Sequence, residues 1–138
     1  MILACLGGGL GCAAAALLLG ACASTEKELI DKGMKPLDAT RAQALLSGNT
    51  ATGTTASGNG FIIYNAPDGT SRGKSGSSSD AGKWEVTSDG QHCNQWKTWR
   101  GGERRCAKLY EVDGEFRYFE GGKYGGRYKI EQGNPYRL

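Results

Sequence analysis

The feature that most constrains this chain is its punctuation from Asn49 onward. Turn signals recur every ten or so residues, and the runs between them are too short for helices. Gly58-Asn59-Gly60, Pro67-Asp68-Gly69, Asp89-Gly90, Asp113-Gly114 and Gly121-Gly122 mark the turns. Asp-Gly pairs are strong hairpin signals because the tight turn needs positive φ. Between them lie β-prone runs: Thr50–Ala56, Phe61–Tyr64, Thr70–Gly76 and Lys83–Thr87. Two more run through Cys93 and from Cys106 to Val112. The last two carry Phe116 with Tyr118, and Tyr128 with Ile130, after a flexible Gly125-Gly126.

That pattern predicts about eight antiparallel strands, each joined to the next by a short turn. Ser77 to Asp80 reads as loop. No crossover helix is available, so parallel pairing is not expected. The predicted fold is all-β, a small antiparallel up-and-down β-barrel, lipocalin/avidin-like in its winding, preceded by a short α-helix. Closure removes the sheet edges. A curled open sheet or a sandwich is the alternative. The helix is expected over Leu37–Ser47, capped by Asp38 or Thr40, with an apolar stripe of Ala42, Leu45 and Leu46 and a stop at Gly48.

The stretch Gly82–Val112 holds all three tryptophans and the only cysteines beyond the N-terminal segment, Cys93 and Cys106. In an exported chain a leftover pair is most simply a disulfide. A metal site or a redox dithiol is the rival, weakened by a single histidine and no Cys-x-x-Cys. If the cysteines sit opposite each other, Gln95 faces Arg104, Lys97 faces Gly102, and Thr98–Gly101 closes the hairpin. Regular alternation then sets Cys106 beside Tyr110 and Val112 and keeps Trp96 and Trp99 on different faces, which predicts a bulge near Glu103–Arg105.

The other end of the chain points to export. Residues 1 to 24 contain no Asp, Glu, Lys, Arg or His, and the run ends in small residues. That is the form of a secretory signal, here expected over 1–21. Leu19-Gly20-Ala21-Cys22 resembles a bacterial lipobox, which implies a diacylglycerol thioether on the Cys22 thiol, cleavage before Cys22 and acylation of the new amine (palmitate-type chains). Two or more chains anchor durably. Ala23 in the following position resembles the sorting pattern for the outer membrane. No Lys or Arg precedes the apolar run, so the natural start is expected upstream of Met1. A retained membrane helix and ordinary cleavage are the alternatives, the helix weakened by its glycines. Residues 22–36 read as the lipidated cysteine and a flexible tether with a helical turn near Glu26–Lys32, and 37–138 as the helix plus barrel domain.

Several spans together resemble one family: Ala44–Thr50, Tyr64–Lys74, Gly82-Lys83-Trp84, Asp89-Gly90, Cys93, Trp96 and Cys106. They are similar to exported proteobacterial proteins grouped as domain of unknown function 995. The resemblance implies a small periplasmic β-domain with no established activity or ligand.

No catalytic constellation stands out. His92 beside Cys93, with Asp89 near, superficially suggests a Cys–His couple, but a disulfide would consume the thiol. The aspartates at 68, 80, 89 and 113 occupy turns, where they cap amides. No phosphate loop is present. The sequence therefore predicts a non-catalytic binding or envelope-support module without a cofactor. A cell-envelope enzyme is the alternative, to be favoured by an unexplained polar cluster inside the barrel that includes His92, and a subunit of an envelope complex is another. The net charge of +3 is too mild for a nucleic-acid partner. The candidate ligand surface is Trp96, Trp99, Arg100, Arg104, Lys108 and Tyr110, cations among aromatics that suit an acidic glycan, a lipid headgroup or a nucleotide. Against it stands a solvated basic hairpin with core tryptophans. A barrel mouth lined by Trp84, Phe116 and Tyr118 could hold a small apolar ligand, unless the side chains fill it.

Overall fold

The computed structural model describes residues 25–138. The expectations for the signal segment and for Cys22 lie outside the described residues. Helix α1 spans Glu26–Asp31 and helix α2 spans Ala39–Leu46. Eight strands follow: β1 Asn49–Thr55, β2 Gly60–Asn65, β3 Thr70–Ser75, β4 Ser78–Val86, β5 His92–Trp96, β6 Arg105–Val112, β7 Glu115–Glu120 and β8 Lys123–Glu131. A short kinked turn, Trp99–Gly102, with Arg100 and Gly101 at left-handed φ of 57° and 66°, lies between β5 and β6. Each strand pairs antiparallel with the next, and β8 returns to β1, so the sheet is a closed up-and-down barrel.

Helix α2 begins where Asp38 Oδ1 accepts the Arg41 amide at 2.8 Å. Ala42 and Leu46, four residues apart and so on one face, are both 0% exposed. They pack with Ala51, Trp84, Leu109, Phe116 and Tyr128 inside one end of the barrel. At roughly 1.5–3 kcal/mol for a buried leucine, this stripe is a plug. At that end the backbone passes so close that a Cβ on Gly90 would lie 2.2 Å from the Leu37 carbonyl. The plugged end carries the β2–β3, β4–β5 and β6–β7 turns; the other four connections ring the open end.

The segment read as a tether is instead folded onto the outside of the barrel. Thr25 Oγ1 caps α1 by accepting the Glu28 amide at 3.2 Å. Leu29 is 2% exposed and packs with Tyr110 and Phe119, supported by Met34, Val112 and Tyr124. Tyr110 faces outward yet is buried, its hydroxyl donating to Glu26 Oε1 at 3.0 Å. Burial first and then that carboxylate push the phenol up to about 12.

Cys93 and Cys106 form a disulfide and are directly opposed in register. The predicted bulge at Glu103–Arg105 is absent because none is needed: Cys106 and Tyr110 do share the outer face, and α1 supplies the cover. The register irregularity falls instead between Tyr118 and Phe119, where Tyr118 pairs with Gly126 and Phe119 with Tyr124. Gly125 is the extra residue, and a Cβ there would lie 2.4 Å from Tyr118 Cε2. The glycine pair is therefore part of β8, with the Tyr118 ring lying over it. Ser78–Asp80 belongs to β4 rather than a loop, since Ser75 pairs with Ser78 across a tight turn.

Candidate functional site

Two ends of unequal character leave a cup. Above the α2 plug lies a cavity of about 450 Å³, opening between the β1–β2, β3–β4, β5–β6 and β7–β8 connections. Its wall comes from inward positions that alternate along the strands: Phe61 and Ile63 on β2, Trp96 on β5, and Tyr118 on β7. Phe61 meets the rings of Tyr118 and Tyr128 edge-on, each with centroids 6.4 Å apart.

The mouth is shaped by a side chain from β4. Asp80 Oδ2 accepts the amides of Thr98 and Trp99, both at 2.8 Å, and the Thr98 hydroxyl at 3.1 Å. The Trp99 amide bond is the main reason its carboxyl falls to about 2. This clamp pulls the β5–β6 loop toward β4, where Lys97 N donates to the Ala81 carbonyl. Pairing between β5 and β6 consequently stops at Asn94–Arg105, and the expected pairs of Gln95 with Arg104 and Lys97 with Gly102 do not form. Gln95 Nε2 reaches the Gly102 carbonyl instead, at 3.1 Å.

The redirected loop turns Trp99 inward over the opening. Its Nε1 donates to Ser78 Oγ at 2.8 Å, and its ring sits 4.8 Å from that of Trp96, tilted 54°. Gly73 on β3 permits this, because a Cβ there would lie 2.6 Å from Trp99 Cζ3 and 3.0 Å from Trp96 Cη2. Beside the tryptophans, Arg100 Nη1 meets Glu120 Oε1 at 2.6 Å, and Arg105 Nη1 lies 3.6 Å from Glu120 Oε2.

Deeper in the lumen the chemistry changes. His92 and Asn94 face inward from β5, two residues apart, and Tyr128 faces inward from β8. His92 Nε2, Asn94 Oδ1 and the Tyr128 hydroxyl are buried without a hydrogen-bond partner in the protein. His92 is 8% exposed and Tyr128 5%. Burial lowers the imidazole to about 4, so it is neutral at pH 7, and raises the Tyr128 phenol well above its usual range. Buried polar groups are normally paired, so three such atoms lining one cavity call for an explanation.

The structure divides the residues predicted as a ligand surface. Trp96, Trp99 and Arg100 meet at the mouth. Arg104 points away and pairs with Glu85, Lys108 lies 3.6 Å from Glu26, and Tyr110 is sealed under α1. Of the residues suggested for an apolar mouth, Tyr118 lines the cavity, whereas Trp84 and Phe116 belong to the packed end. The superficial Cys–His couple does not assemble. Cys93 is disulfide-bonded on the opposite face of β5 from His92, and Asp89 binds Thr87 and Gln91. Among the described residues no three His, Cys, Asp or Glu side chains group as metal ligands.

A polar cluster with His92 was anticipated and Asp80 was read as an amide cap, but Asn94 and Tyr128 as its other members, and Gly73, were not singled out by sequence reasoning. The available signal was alternation: if Cys93, Gln95 and Lys97 share one face, then His92, Asn94 and Trp96 share the other.

The fold and cavity define a one-ended β-barrel cup with an aromatic lip and a polar interior. The family model described as "Protein of unknown function (DUF995)" matches residues 14–116, and the chain belongs to that family. No curated protein matches the chain.

Proposed function

We propose that this protein is a lipid-anchored lipoprotein on the periplasmic side of a bacterial envelope, anchored through Cys22 and held at the outer membrane. Its barrel binds a small molecule in the lumen and carries out no reaction on it. The observation that supports binding most directly is the cavity of about 450 Å³, three of whose lining residues, His92, Asn94 and Tyr128, each hold an unpartnered buried polar atom. That volume falls within the roughly 300–1,000 Å³ of small-molecule pockets, which combine apolar walls with a few convergent polar groups. The lipobox-like Leu19–Cys22 and the Cys93–Cys106 disulfide support export, since such bridges persist in oxidising compartments.

A second reading, an enzyme of the envelope, is favoured by the same cluster around His92. The weight lies against it because a neutral imidazole lowered to about 4 is a poor base at pH 7 and the neighbouring thiol is consumed.

The full chain, extracted from envelopes in mild detergent, is examined by native and then denaturing mass spectrometry, with organic extraction of whatever is released. A co-purifying compound released chemically unchanged is the expected result. Release of a converted product would favour the enzyme, and absence of any bound compound would remove the binding reading. Labelled palmitate should enter the wild-type chain and not Cys22→Ala; equal labelling would refute the anchor.

A further inference from the structure

We infer that the lumen takes a small aromatic monoanion that carries a hydrogen-bonding group at its far end, an aryl carboxylate bearing a ring hydroxyl or NH being the simplest such compound. This rests on the reading of the barrel as a binding module and adds the chemistry of the ligand. Three levels of the cavity carry it.

At the lip, the Trp96 and Trp99 rings lie together, opened by Gly73 and held by the Asp80 clamp. Phe61 and Tyr118 continue the aromatic wall below them. Flat rings held in place favour a flat ligand, by offset or edge contacts that an alkyl chain cannot match. Charge sets the second level. Arg100 and Arg105 both reach the carboxylate of Glu120, Arg105 also meeting the exposed Glu103 at 3.4 Å outside the lining, and no other lining residue is charged once His92 is neutral. The lining therefore carries one net positive charge. A monoanion at the lip balances it, where a neutral ligand would not. The third level is the polar floor. Asn94 Oδ1 accepts, the Tyr128 hydroxyl donates or accepts, and His92 Nε2 does either according to tautomer. A ligand with an apolar end would leave these atoms unpaired, while a hydroxyl or NH would supply a partner for one of them.

The test titrates the full chain with four probes by calorimetry: 6-hydroxy-2-naphthoate, 2-naphthoate, 2-naphthol and decanoate. The hydroxynaphthoate should bind tightest, one per barrel. Loss of either the hydroxyl or the carboxylate should weaken binding about tenfold, with decanoate weaker still. Tyr128→Phe should bring hydroxynaphthoate close to the level of 2-naphthoate and leave 2-naphthoate itself unchanged. Arg105→Gln should abolish the preference for hydroxynaphthoate over naphthol. A thermal melt of each variant shows that it folds, and Tyr128→Phe should melt no lower than wild type because its hydroxyl bonds nothing in the protein. Preference for decanoate or naphthol, or a Tyr128→Phe effect equal on all probes, would overturn the assignment while leaving a binding barrel. Failure of all four probes, with no compound co-purifying from envelopes, would overturn the binding reading as well.

Discussion

Replacing Cys93 and Cys106 together by alanine should destabilise the barrel by about 3 kcal/mol, and should do so at one seam. The bridge closes a loop of 14 residues, counting both ends, from a sequence separation of 13. The chain-entropy relation for that loop gives about 3 kcal/mol at 25 °C. Location makes the effect specific. The β5–β6 seam has three residue pairs, His92–Ala107, Cys93–Cys106 and Asn94–Arg105, whereas every other seam has at least four. The disulfide therefore lies in the middle of the shortest pairing in a barrel that must stay closed. Alanine is preferred to serine because Cys93 is 1% exposed, and a hydroxyl there would add a separate penalty. Urea unfolding of oxidised wild type and of the double variant is the assay. With a slope of about 1–3 kcal/mol per molar, the midpoint should fall by about 1–3 M. Hydrogen exchange should show protection lost first at residues 92–94 and 105–107. Coincident midpoints, or first opening at another seam, would refute the reasoning.

Three further outcomes follow from the packing. His92 falls from 6.5 to about 4 on burial, so the unfolded chain binds its proton first; stability is complete above pH 6.5 and is lost as pH falls toward 4. The loss approaches about 3 kcal/mol, and urea midpoints of His92→Gln should lack this slope; a parallel slope in that variant would assign it to other groups. Gly73→Ala should cost about 1–3 kcal/mol by overpacking and expel the Trp99 ring, read as a red shift of tryptophan emission. Unchanged emission would mean that the tryptophans are placed otherwise. Leu29→Ala should cost about 2–3 kcal/mol and free α1, so that trypsin cuts after Lys27 or Lys32 in the otherwise folded protein; resistance equal to wild type would show that α1 is held by other contacts.

Local chemistry was legible in the sequence, and long-range placement was not. Asp113-Gly114 announces a hairpin because both residues take positive φ, +53° and +78°. Asp38 and Gly48 bracket α2 for equally local reasons. The opposed cysteines gave the β5–β6 register at the one point where it is pinned. The helical turn of α1 was legible near Glu26–Lys32, but its docking escaped because six residues with one buried leucine show no periodicity, and Tyr110 needs that distant segment to be covered. The inward turn of Trp99 depends on a carboxylate 19 residues earlier, which sequence reading assigns to ordinary turn capping. Alternation separates the faces of β5, but it does not tell how much space opposite strands leave around His92 and Asn94.

The docking of α1 also governs how the molecule would stand on a bilayer. With acyl chains on Cys22, only three peptide links lead to Thr25, a reach of about 11 Å at full extension. The barrel could then neither drift far from the headgroups nor present an arbitrary side to them. The β6–β7 flank on which α1 lies would stay near the lipid, like a vessel on a short bracket rather than a float on a line.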